Sequence, residues 1–110
     1  MRVYLAGPMR GIPYFNFPAF IEAAKWLRAW GHTVLSPAEA DIELFGDDFG
    51  KDNPTGDAKG FDIRGAMERD LLWICQEAEA IALLPGWEFS KGSRVEYALA
   101  ECLGLEKIML

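Results

Sequence analysis

The sequence predicts an α/β fold in which four parallel strands form one small doubly wound (flavodoxin- or Rossmann-like) sheet with helices on both faces. Short apolar runs typical of strands alternate with longer segments of helical periodicity, in the order βαβαβαβ, which implies right-handed crossovers between parallel strands. The run at 80–84 is apolar throughout, as expected of a strand covered on both faces. The chain of 110 residues has the usual length of one domain, so we expect a single domain over 1–110.

The first half of the chain predicts a strand, a loop, a helix and a second strand. The first strand spans 2–6, and a loop punctuated by glycines and prolines follows it. Asn16 is placed to cap a helix that Gly31 ends, and residues 32–36 form the next strand. The inward face of this helix is predicted to consist of Phe17, Phe20, Ile21, Ala24 and Leu27.

The segment 38–61 is long, acidic and rich in glycine. Two interpretations stay open for it: a solvated loop, or a lid over a binding site, because loops of this length inside compact domains are usually functional or disordered. The segment does not have the Gly and Glu spacing of a calcium-binding loop.

The second half of the chain predicts two more helices and two more strands. Asp62 is placed to cap a helix that runs to about residue 77, and the strand 80–84 follows. A helix over about 92–103 leads to the last strand at 106–110.

Composition limits the partners of the chain. The net charge of −6 argues against a nucleic-acid polymer, which needs a basic surface, but leaves a single nucleotide possible. No apolar run is long enough to span a membrane, and the first residues do not resemble a signal peptide, so we expect a cytoplasmic protein without a membrane partner. Cys75 and Cys102 are predicted to be reduced core thiols.

The predicted strand order, 2-1-3-4, places a topological switch point between the first and third strands. Ligands of such sheets bind outside the carboxyl ends of the strands at this point. The loops at 7–11 and 85–91 are expected to converge there.

Glu96 is the first of two carboxylates predicted on apolar helix faces. At about 100° per residue, it falls between Leu103 and Ala100, inside the apolar arc that also contains Val95, Ala98, Leu99 and Cys102. A buried carboxylate needs a partner or a chemical role. The alternative is that Glu96 lies at the edge of the arc and reaches water.

Asp70 is the second such carboxylate. It falls in the middle of the arc formed by Ile63, Ala66, Met67, Leu71 and Ile74. The structural alternative is an aspartate bonded to backbone N–H groups of a neighbouring loop. As a pair, Asp70 and Glu96 suit acid–base and nucleophilic chemistry at a sugar bond.

Two loops supply the predicted ligand contacts. Gly7 lets the backbone approach a ligand, and the same loop carries Met9 and Arg10, whose guanidinium matches a phosphate. Ser90 and Gly92 open a helix, and helix N-termini bind anions. The alternatives are a surface arginine paired with the acidic segment and an ordinary helix cap. No spacing typical of a metal site is present.

Three segments, Tyr4–Gly11, Glu68–Trp73 and Ser90–Tyr97, resemble in order and spacing the signature segments of the nucleoside 2-deoxyribosyltransferase superfamily. That superfamily includes the deoxynucleoside 5′-monophosphate N-glycosidases and small phage-type members. The resemblance covers most of the chain except 38–61.

The resemblance implies an enzyme, without a cofactor, that cleaves the N-glycosidic bond of a small-molecule 2-deoxynucleoside or its 5′-monophosphate by base transfer or hydrolysis. By resemblance, Glu96 is the nucleophile that attacks C1′, Asp70 orients the sugar or base, and Tyr4 lies near the nucleophile. Arg10 and Ser90 fall at two positions that hold a 5′-phosphate in the monophosphate-cleaving branch.

The resemblance also implies a homodimer or higher homo-oligomer, for which the outward-pointing Trp26 is an interface candidate. Pro8 departs from the pattern, since the monophosphate branch has a serine there. The rival prediction is a module that binds a nucleotide or a nucleotide-derived signal without turnover.

Overall fold

The predicted sheet is present in the computed structural model, which describes residues 1–46, 48–56 and 61–110. Its four strands are β1 (Arg2–Ala6), β2 (Thr33–Leu35), β3 (Ala80–Leu83) and β4 (Glu106–Met109). All three pairings are parallel, and the order is β2-β1-β3-β4. The predicted doubly wound fold is therefore confirmed.

Four helices cover the sheet: α1 (Phe17–Ala29), α2 (Pro37–Phe45), α3 (Ile63–Gln76) and α4 (Lys91–Cys102). Short 3₁₀ turns at Pro13–Asn16 and Trp87–Phe89 precede α1 and α4. Within the ranges described, none of the helices has the length and apolar character needed to cross a bilayer.

Alternation along β1 divides the core between the two faces of the sheet. Val3 and Leu5 pack in the cluster that contains the inner residues of α1, whereas Tyr4 and Ala6 pack with Ile74 of α3 and with α4. This alternation directs the polar end of Tyr4 toward α3 and α4 rather than α1.

The inward face of α1 differs from the prediction at Ile21, which is exposed. The buried residues of α1 are Phe17, Phe20, Ala23, Ala24 and Leu27. At about 100° per residue the centre of this face lies between Phe20 and Leu27, and Ile21 falls well to one side of it.

The predicted apolar face of α4 is wrong. Val95 and Leu103 are 48% and 46% exposed, and the buried residues are Ser93, Glu96 and Ala100. These three share one side of a helix at about 100° per residue. Glu96 therefore lies on the buried face itself, and not at the edge of an apolar arc.

The prediction of two core thiols is also wrong, because Cys75 and Cys102 are both exposed. Cys102 belongs to the outer side of α4. Cys75 follows the buried Ile74, and one residue further along a helix turns the side chain by about 100°.

The segment 38–61 is not a continuous loop, because α2 occupies its first part. Ala38 and Asp41 are buried and Ile42 packs against the core, a spacing that fits one helix face. The acidic residues favoured the interpretation as a loop, but one of them, Asp41, faces inward. Asp47 and the stretch 57–60 lie outside the described residues.

The later part of this segment packs on the loop that follows β1. The backbone N–H of Gly11 donates to Gly56 O at 3.0 Å, and that of Tyr14 donates to Asn53 O at 3.2 Å. Gly56 has φ of +71°, and a Cβ there would lie 2.0 Å from Ile12 O. These contacts hold residues 53–56 beside the predicted ligand loop, which is not the arrangement of a freely solvated segment.

Candidate active site

A cavity of about 590 Å³ opens at the carboxyl ends of β1 and β3, where the strand order reverses. The two loops predicted to converge, 7–11 and 85–91, both contribute to its lining. The inner faces of α3 and α4 form the remaining walls near the sheet. This is the position at which doubly wound sheets bind their ligands.

Glu96 faces this cavity from α4 and is only 6% exposed. The Tyr4 hydroxyl donates to its Oε2 at 2.5 Å. Tyr4 is fully buried in β1, so the hydrogen bond joins the central strand to α4. The structure therefore contradicts the alternative in which Glu96 reaches water.

Asp70 faces the same cavity from α3 and is 5% exposed. The Arg69 Nε donates to its Oδ1 at 2.8 Å. The carboxylate is thus held by a neighbouring side chain rather than by the loop N–H groups of the structural alternative. Tyr4 stands close to both acids, since the charges of Glu96 and Asp70 add to burial in raising the pKa of its hydroxyl.

Burial raises the pKa of both carboxyls in this cavity wall. The pKa of Glu96 is raised from 4.5 to about 8, and burial is the main cause. The charge of Asp70 contributes to this rise, whereas the hydrogen bond from Tyr4 and the charge of Arg69 oppose it. Burial also raises the pKa of the Asp70 carboxyl, against the opposing effect of Arg69. Glu96 is consequently protonated in most free molecules at neutral pH and ionises at mildly alkaline pH. Such displaced values are common at functional sites.

The residues predicted to bind substrate all line the cavity: Gly7, Met9, Arg10, Ser90 and Gly92. A Cβ at Gly7 would lie 2.8 Å from Leu84 Cβ. The glycine therefore allows the chain after β1 to pass close to Leu84, the residue that follows β3. Arg10 is exposed at the mouth. Ser90 accepts from the backbone N–H of Ser93 at 3.2 Å, so it is an ordinary N-cap of α4 as well as a lining residue.

Sequence reasoning missed Asp41 and Arg69, which also line the cavity. The Arg69 Nη1 donates to Asp41 Oδ1 at 3.2 Å, and Asp41 is buried in α2. The available signal was the helical spacing of Asp41 with Ala38 and Phe45, which appears only once 37–45 is treated as a helix.

An aromatic wall formed by Phe15, Phe49 and Phe61 was missed as well; all three line the cavity. Phe49 stacks on Phe15 with ring centroids 5.2 Å apart, and on Phe45 at 4.8 Å. This wall brings the later part of 38–61 to the site. It supports neither a solvated loop nor a separate lid, since the rings pack on the domain and also face the cavity.

The turn before α1 has an unusual backbone at the rim of the cavity. Tyr14, Phe15 and Asn16 have φ values of 57°, 53° and 60°, a left-handed conformation that costs free energy in residues other than glycine. Asn16 does not cap α1 through its side chain; its amide donates to Pro8 O at 3.0 Å. The turn is thereby tied to the loop that carries Met9 and Arg10.

Metal binding has no structural support in the described ranges, where no three His, Cys, Asp or Glu side chains group closely enough to hold an ion. The cavity instead offers paired carboxylates and one bridging guanidinium, with a fully buried tyrosine hydroxyl bonded to one of the carboxylates from behind. This set can transfer protons or supply a carboxylate nucleophile.

The fold and cavity define a doubly wound α/β domain with a buried carboxylate pair at its switch point. The chain belongs to the family described as "Domain of unknown function (DUF4406)", which matches residues 1–109. No curated protein sequence and no solved structure matches the chain significantly.

Proposed function

We propose that the protein cleaves the N-glycosidic bond of a 2-deoxynucleoside or its 5′-monophosphate, with Glu96 as the nucleophile. The observation that carries this proposal is the pair Asp70 and Glu96 in the wall of one cavity, with the buried Tyr4 behind them donating a hydrogen bond of 2.5 Å to Glu96. The resemblance of the three signature segments to the nucleoside 2-deoxyribosyltransferase superfamily supports the same assignment.

In the first step a carboxylate oxygen of ionised Glu96 bonds to C1′ of the deoxyribose. The C1′–N bond breaks, and the base leaves with its electron pair and takes a proton from water. The product is a covalent glycosyl-enzyme ester. In the second step water or a second base attacks C1′, the ester bond breaks, and Glu96 is released as a carboxylate.

The remaining lining divides between the two ends of such a substrate. The aromatic wall of Phe15, Phe49 and Phe61 suits a planar base, because aromatic rings stack on one another. Arg10 and the N-terminus of α4 at Ser90 suit the anionic or hydroxyl group at C5′.

A substrate panel tests the proposal. Purified protein is incubated with each deoxynucleoside and each 5′-monophosphate, with and without an acceptor base, at pH 7 and pH 9, and released base is separated by chromatography. We expect release from at least one panel member, faster at pH 9 because Glu96 ionises with a pKa of about 8. Absence of release from every member at both pH values would refute the proposal.

Nucleotide binding without turnover is a second candidate, favoured by one observation. The raised pKa of Glu96 keeps its carboxyl neutral in most molecules at pH 7, a state that donates a hydrogen bond and does not attack. Calorimetry separates the two functions. Tight binding of a nucleotide that is recovered intact at pH 9 supports the binding module.

Replacing Tyr4 with phenylalanine tests the hydrogen bond to Glu96. This bond lowers the pKa of Glu96, so its loss should move the acid limb of the pH–rate profile to higher pH. We expect base release at pH 7 to fall about 10- to 100-fold, with partial recovery at pH 9.

The matched control is Tyr97→Phe, because Tyr97 also donates from its hydroxyl to a glutamate of α4, Glu101, but at the exposed surface. The control should keep the wild-type profile. A Tyr4→Phe profile that coincides with it would remove Tyr4 from the proposed machinery.

A homo-oligomer remains a proposal for the assembly. Trp26 is 53% exposed, as its outward orientation predicts, and Phe89 at the rim of the cavity is 89% exposed. Large exposed apolar side chains of this kind are frequent at protein interfaces.

A further inference from the structure

Arg69 bridges two helices beside the candidate nucleophile. Its Nε donates to Asp70 Oδ1 at 2.8 Å, and its Nη1 donates to Asp41 Oδ1 at 3.2 Å. Both carboxylates are at least nine-tenths buried and all three side chains line the cavity. A planar guanidinium that donates to two acids through different nitrogens fixes the position of both.

We propose that Arg69, held by Asp41 of α2, is a positioning residue that fixes the Asp70 carboxylate in the cavity wall beside Glu96. The proposal deepens the proposed function, on which its catalytic meaning depends. It assigns a role to α2, the helix inside the segment that the resemblance does not cover.

The reason lies in the charges around Glu96. Tyr4 contacts it from β1, and Asp70 and Arg69 of α3 line the same cavity, while Asp41 of α2 contacts Arg69. The outer groups of the cavity are Arg10 and Lys91, both exposed, and the exposed Glu88 of the 87–89 turn packed on α4 is outside the lining.

Two buried acids, Asp41 and Asp70, are paired with one partly buried cation, and the third buried acid, Glu96, lines the same cavity. The guanidinium lowers the pKa of Glu96, whereas the negative charge of Asp70 raises it. Asp41 takes part of the guanidinium charge through its own ion pair of 3.2 Å. Removing Arg69 should make Glu96 hold its proton to higher pH, and neutralising Asp41 should make Glu96 release it at lower pH.

The experiment measures Glu96 directly and does not require turnover. Protein labelled with ¹³C at glutamate side-chain carboxyls is titrated by NMR, and the Glu96 signal is assigned by its loss in Glu96→Gln. We expect the midpoint of Glu96 to rise by about one pH unit in Arg69→Gln and to fall by about half a unit in Asp41→Asn, as charge removal near a buried acid predicts.

Two further variants separate charge from general structure. Arg69→Lys keeps the charge and loses the fork, so its Glu96 midpoint should lie closer to wild type than that of Arg69→Gln. Arg28→Gln is the matched control, because Arg28 pairs with Glu39 of the same α2 helix, at 2.6 Å and outside the cavity, and it should leave the midpoint unchanged.

Equal midpoints in wild type, Arg69→Gln and Asp41→Asn would overturn the inference. If Arg69→Gln does not fold, the isosteric Asp41→Asn decides alone: a fall supports the inference, and no change or a rise contradicts it. A failed substrate panel with the expected midpoints would reject the proposed function and leave this coupling intact. Base release with unchanged Glu96 midpoints would reject this coupling and leave the proposed function intact.

Discussion

Replacing Glu96 with glutamine is expected to lower the rate of base release by about 1,000-fold or more. Glutamine fills the same buried position and its carbonyl can accept the hydrogen bond from Tyr4, but it has no carboxylate to attack C1′. Released base is measured by chromatography on the best substrate of the panel.

The same substitution is expected to stabilise the fold at alkaline pH. The pKa of Glu96 is raised from 4.5 to about 8 in the folded protein, so the folded state binds this proton more tightly than the unfolded chain. The stability that depends on the proton is complete below pH about 4.5 and is lost as pH rises through 8. Glutamine mimics the protonated form and removes this loss, which amounts to as much as about 4 kcal/mol at pH 8.

Thermal unfolding at pH 5 and pH 8 measures this effect. We expect the wild-type Tm to fall between the two pH values and the Tm of Glu96→Gln to change much less. Glu101→Gln is the matched control, because Glu101 lies on the same helix, is exposed, and has a pKa lowered chiefly by a hydrogen bond from Lys107. A Glu96→Gln protein that is active, or that loses stability at pH 8, would contradict the assigned role.

Replacing Asp70 with asparagine has the second largest expected effect, a fall of about 100-fold in base release. The variant loses the carboxylate that Arg69 orients in the cavity wall. Because the charge of Asp70 raises the pKa of Glu96, the acid limb of the pH–rate profile should move to lower pH.

The direction of the shift distinguishes the two residues. Loss of Asp70 should move the acid limb of the pH–rate profile to lower pH, whereas loss of the Tyr4 hydroxyl should move it to higher pH. Asp52→Asn, at an exposed position of the acidic segment, is the control and should match wild type. An Asp70→Asn variant that releases base as fast as the wild type would show that the proposed reaction does not use the carboxylate pair.

The fold could be predicted because its signals are local and repeated. The apolar run at 80–84 specified the buried β3, and the glycines and prolines between periodic segments marked the ends of β1 and α1. The strand order 2-1-3-4 is the one typical of a small doubly wound sheet, and it placed the cavity before any side chain was located.

The orientation of α4 could not be obtained in the same way. Its most hydrophobic side, which includes Val95 and Leu103, is exposed, while Ser93 and Glu96 are buried. Hydrophobic periodicity finds the core-facing side only when that side is apolar, and here the first turns of the helix face a polar cavity. Glu96 was selected for its unusual position, but the helix face assumed for that selection was the wrong one.

Asp41 was missed because an acidic run is typical of a solvated segment. Its partner Arg69 was missed because it comes from another helix, and such a pairing between α2 and α3 has no local signal. The aromatic wall was missed for a related reason, since Phe15, Phe49 and Phe61 come from separate segments of the chain.

The central claim is that Glu96 forms a covalent bond to C1′, and trapping the glycosyl-enzyme tests it most directly. A 2-deoxy-2-fluoroarabinosyl nucleoside slows the second step, because fluorine destabilises the positive charge that develops at the sugar. After incubation at pH 9, the protein is digested and the peptides are analysed by mass spectrometry. We expect a fluorosugar adduct on Glu96 that is absent from Glu96→Gln; base release without an adduct, or an adduct on another residue, would contradict the proposed role of Glu96.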